Sequence, residues 1–123
     1  MSNQTITIGN GNTFQGDFVI AEKIRESFNK IGASDSSEEL KELLKALSLE
    51  VGKVAAELEK KQAEGIIDDL QKFIDEASST KPKKKWWEIS AKGMKETAGA
   101  VGELGLSLIK NLDKIIPILE KMV

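Results

Sequence analysis

Two pairs of adjacent carboxylates, Asp68-Asp69 and Asp75-Glu76, are the residues of this chain best suited to reactive chemistry. Paired acids that converge can share a divalent cation or divide the roles of general acid and general base. Neither pair converges. Both lie in a segment whose apolar residues recur at helical spacing, where sequence neighbours point about 100° apart. No loop carries the alternating acids, glycine and closing Glu of a calcium loop. Gly9-Asn10-Gly11 lacks the Gly-Lys-Ser/Thr element and the strand–loop–helix setting of a phosphate loop. The chain also has no His and no Cys. That removes the usual zinc ligands, the Ser–His and Cys–His nucleophile pairs, the commonest base near neutral pH, and any disulfide. The expectation is a non-enzymatic protein with no catalytic residue, no cofactor and no metal.

A second cluster, Lys81-Pro82-Lys83-Lys84-Lys85-Trp86-Trp87, suits recognition rather than reaction. Lysines beside paired indoles can meet phosphates and stacked bases, or anionic lipid headgroups with the rings at the interface. The competing reading is a solvated turn. Trp87 falls on the apolar stripe of the following helix and belongs to a core. Trp86 lies one step off that stripe and is the better partner-binding candidate.

The elements that hold these groups are helical. From Trp87 onward, Ala91, Met94, Ala98, Val101, Gly105, Leu108, Leu112, Ile115, Leu119 and Met122 keep one heptad phase. Such a stripe implies packing against partner helices. Ala91, Ala98 and Gly105 recur every seven residues and permit close approach. A continuous helix over 85–122 would span about 55 Å, so a break near 99–102 is the alternative, at Gly99 or Gly102. Pro117 predicts a kink near the end.

Upstream, Leu40, Leu44, Leu47, Val51, Val54 and Leu58 define a helix over 37–60, with Ser36 and Glu39 as its capping box. A new stripe (Ile66, Leu70, Phe73 or Ile74, Ala77) predicts a helix over 63–78. The phase change places a turn near 60–64, with one bent helix as the alternative. Ser78 to Pro82 breaks the chain again. Ile20, Ile24, Phe28 and Ile31 predict a helix over about 21–31, closed by Gly32.

Residues 1–20 read differently. Thr5-Ile6-Thr7-Ile8 alternates with period two, Phe18-Val19-Ile20 is β-prone, and the intervening Asn-Gly steps favour tight turns. A short β-hairpin or extended β segment is expected. It either caps the helices or stacks with copies of itself, since lone hairpins are marginal and strand edges recruit strands. The fold class is therefore mainly α: a single domain with an antiparallel bundle of four to five helices over 21–123 and a β segment over 1–20.

With 123 residues, 40% apolar and 31% charged, the chain has one core's worth of material. Its charge is uneven. Residues 34–79 hold twelve acids and six bases, whereas 80–123 hold five acids and nine bases. The two regions attract each other if packed side by side, or are simply solvated faces. The N-terminus lacks the basic and apolar regions of a secretory signal, and Ala98–Ile109 is interrupted by Glu103, so a cytoplasmic protein without a conventional spanning helix is expected.

The run Ile8-Gly9-Asn10-Gly11-Asn12-Thr13-Phe14-Gln15-Gly16-Asp17-Phe18-Val19-Ile20-Ala21, with Ile24 and Ser27-Phe28-Asn29, resembles a segment of bacterial signalling and immunity proteins. In those proteins, short Gly/Asn-rich β motifs and small helical modules accompany TIR, caspase-like or NACHT domains. The first part is similar to bacterial amyloid signalling motifs, which join sensor to effector by strand stacking. The resemblance implies a free-standing adaptor; no TIR, protease or nucleotide-binding motif is present to carry an activity.

The functional expectation is a protein–protein association module whose partner is itself, a signalling effector or a sensor, with no small-molecule substrate. Its partner-binding residues are Ile6, Ile8, Phe14, Phe18 and Val19, with Trp86 secondary. One alternative is a membrane-active, pore-forming-like effector using the Gly-rich stretch Ala98–Ile109. A weak nucleic-acid binder acting through Lys81–Trp87 is the other.

Overall fold

A computed structural model describes the backbone of residues 11–122 and the side chains of residues 19–122. Five helices and no strands form among the described residues: α1 (Gly11–Ala33), α2 (Glu38–Ala56), α3 (Lys60–Ala77), α4 (Lys84–Gly99) and α5 (Glu103–Met122). In the ring α2–α3–α4–α5 each helix packs on two neighbours, and α1 lies over α2 and α3. Short connections make successive helices antiparallel. Ion pairs Lys95–Asp113 (2.8 Å) and Lys84–Glu120 (3.8 Å) fix that arrangement for α4 and α5. Lys30 pairs with Asp75, tying the C-terminal ends of α1 and α3 together.

Burial follows the sequence stripes. Leu40, Leu44, Leu47, Val51 and Val54 of α2 are buried, as are Trp87, Ala91, Met94 and Ala98 of α4 and Leu108, Leu112, Ile115 and Leu119 of α5. Each large aliphatic side chain removed from water contributes about 1.5–3 kcal/mol. Helix α3 buries a wider face, with Ile66, Ile67, Leu70, Phe73 and Ile74 all inaccessible, because it contacts α1, α2 and α4 together. The choice between Phe73 and Ile74 therefore resolves as both.

Several boundaries differ from expectation. Of the β segment expected over 1–20, residues 1–10 lie outside the described residues, whereas residues 11–20 belong to α1, which starts about ten residues early. Ile20 and Ile24, one turn apart, both rest on the core. The cap of α2 is Ser37 rather than Ser36: its Oγ accepts from Leu40 N at 3.2 Å, and Glu38 and Glu39 favour the positive helix start. The turn after α2 occupies 57–59 instead of 60–64. Half-buried Leu58 sits in that turn, and the Glu57 N–H bonds to Val54 O at 3.0 Å.

The 85–122 stripe divides between two helices. Gly102 adopts φ +65°, between the Gly99 end of α4 and the Glu103 start of α5. The chain thus reverses while the four-three spacing runs on, because both helices face the same core. Helix α5 continues past the exposed Pro117 to Met122.

Candidate interaction surfaces

Three of the four paired acids have basic or main-chain N–H partners. Asp68 binds Lys72 one turn along α3 at 3.0 Å, and Asp75 pairs with Lys30 of α1. The Asp68 hydrogen bond is the main reason the Lys72 ammonium sits above its ordinary value. Glu76 Oε1 accepts from Lys83 N at 3.2 Å and so anchors the turn before α4. Asp69 lies against Gly93 of α4, where a Cβ would collide with its carboxylate. Burial, then the neighbouring Asp68 charge, push the Asp69 carboxyl above its ordinary value of 3.8, with Lys72 opposing. No cluster of three or more metal-ligating side chains occurs among the described residues.

Among the described residues, two surfaces combine exposed apolar side chains with a groove. The first lies between α1 and α2. Ile20, Ala21 and Ile24 on one side and Leu49, Gly52 and Ala56 on the other line an open groove of about 320 Å³ with no charged wall. Ile24 packs over Gly52, its Cγ1 3.6 Å from the position a Cβ would take, an ordinary van der Waals distance. Leu49 is 53% exposed and Val19 46% exposed. Leu49 lines this groove, whereas Val19 is not among its lining residues; an apolar groove open to solvent is a usual place for a protein contact.

The second surface is the start of α4. Trp87 is 1% exposed and part of the core, whereas Trp86 is 49% exposed and Ile89 58% exposed. Lys85 Nζ lies 5.2 Å from the centroid of the Trp86 ring. Ile89 also borders a shallow groove beside α5 that is walled by Glu88, Lys92, Lys95, Glu96 and Ile116. Unlike the α1/α2 groove, this one carries charges of both signs.

Of the partner-binding residues expected from sequence, Val19 and Trp86 are exposed, on different faces of the bundle. Ile6 and Ile8 lie outside the described residues. Phe14 and Phe18 fall within the backbone span of α1. Sequence reasoning missed Leu49, Ile89 and Leu106, each an exposed apolar residue on the side of its helix away from the buried stripe. The available signal was an apolar residue out of phase with the buried face.

Ala98–Ile109, the stretch behind the pore-forming alternative, is divided among the end of α4, a turn and the start of α5. No described helix is long and apolar enough to cross a membrane. Compared with family models, curated proteins and solved structures, the chain matches none.

Proposed function

We propose that this chain is a non-enzymatic association module that pairs with a second copy of itself, or with a signalling effector or sensor, in bacterial signalling or immunity. The observation that carries the reading is the uncharged α1/α2 groove with the exposed Leu49 in its lining. A helical bundle gains nothing for its own stability by holding Leu49 in water, whereas covering that side chain on association is favourable. The N-terminal stretch supplies the second element. Thr5-Ile6-Thr7-Ile8 places Ile6 and Ile8 on one side of an extended strand. Such a strand adds to the edge of a like strand through main-chain hydrogen bonds. Phe14, Phe18 and Val19 extend the contact into α1.

Light scattering on the full chain across a range of concentrations tests the proposal. The wild type is expected to exceed the monomer mass, and an Ile6→Ser/Ile8→Ser double variant to fall toward it. A wild type that stays monomeric throughout removes self-association. A partner-directed module would then require a different chain to bind Leu49.

A further inference from the structure

We propose that the outward face of α4 docks on an anionic lipid surface, with Trp86 and Ile89 entering the interface while lysines hold the headgroups. Lys85, Trp86, Ile89 and Lys92 share one side of the helix at its 3.6-residue period, and all four are exposed. Core contacts use the opposite side, through Trp87, Ala91 and Met94. The helix therefore carries two apolar faces, one buried in the bundle and a smaller one between lysines.

Charge complementarity selects the occupant. Lys81, Lys83, Lys85 and Lys92 are exposed, and none forms an ion pair among the described residues. Lys84 is partly offset by Glu88 (4.0 Å) and Glu120 (3.8 Å). Glu96, further along the same side, marks where the cationic patch ends. A tryptophan and an isoleucine set among lysines match the membrane interface, where the indole sits at headgroup level and lysine stems snorkel. Single-stranded nucleic acid is the poorer fit. Its binding relies on several rings that stack successive bases, and burial of Trp87 leaves one ring here. The surface differs from the α1/α2 groove, so the inference stands apart from the association reading.

The full chain is mixed with phosphatidylcholine vesicles, with and without phosphatidylglycerol, while tryptophan emission and co-sedimentation are followed. Trp87 is already buried, so an emission change on binding reports Trp86. The expected result is co-sedimentation and a blue shift with anionic vesicles alone, both weakened by salt. A Lys81→Gln/Lys83→Gln/Lys85→Gln variant lowers partitioning about a hundredfold, from about fivefold for each lysine. Ile89→Ser keeps the charge and lowers partitioning several-fold, and neither variant touches the core. Absence of binding overturns the proposal, as does equal binding to neutral vesicles. It is likewise overturned if the lysine variant binds as well as wild type, or if single-stranded DNA binds as tightly as the vesicles.

Discussion

Gly105 of α5 lies directly against the backbone carbonyl of Ala98 in α4, in space that any Cβ would overlap. The helical hairpin closes only because that position has no side chain. Gly65, by contrast, has nothing within 4 Å of the place a Cβ would occupy. The two glycines should respond oppositely to alanine. Gly105→Ala is expected to cost about 1–3 kcal/mol through overpacking against backbone. Gly65→Ala should gain about 0.5–1 kcal/mol by restricting the unfolded chain and favouring the helix. Urea denaturation of both variants measures the two signs.

The partial burial of Asp69, beside the Asp68 charge, makes stability depend on pH. Burial raises the folded-state affinity of Asp69 for a proton above that of the unfolded chain. Its contribution is therefore fully present below the ordinary carboxylate range, and is lost as pH rises through the raised folded-state value. Near neutral pH the ionised carboxylate is a net cost. Asp69→Asn should be more stable than wild type at about pH 7, by less than about 1 kcal/mol because the group is partly solvated. That advantage should shrink toward zero at about pH 3. Denaturant midpoints for the pair across this range supply the check; an advantage that grows on acidification contradicts the sign.

Trp87 is a large core side chain whose indole N–H has no hydrogen-bond partner among the described residues. Its packing contributes while its polar atom costs, since a buried unsatisfied donor loses its hydration. Trp87→Phe removes the donor and keeps most of the ring, so its cost should stay below about 1.5 kcal/mol. Trp87→Ala should cost about 3–5 kcal/mol. Thermal melts of the two variants separate these effects.

The buried faces of α2, α4 and α5 were legible because Leu44, Met94 and Leu112 sit on regular stripes with few rivals. Helix ends were less so. Lys60 and Lys61 look like turn residues, and cations disfavour a helix start, yet they open α3 because the turn closes earlier around Leu58. The reversal at Gly102 was visible only as one of two options, since both helices of the hairpin face one core and leave the heptad phase intact. Val19 and Trp86, singled out by type, are both exposed. Leu49 and Ile89 stand out of phase with the buried stripes, a weaker signal that becomes decisive only once the neighbouring helices are in place.

Sedimentation equilibrium of the full chain, wild type against Leu49→Glu, bears most directly on the association reading. Leu49 points to solvent, so the charge should leave the bundle folded while spoiling the α1/α2 groove. The account predicts a concentration-dependent mass above the monomer for the wild type and a monomer for the variant, with unchanged helical content. Identical association by the two proteins would contradict the assignment of that groove as the contact surface.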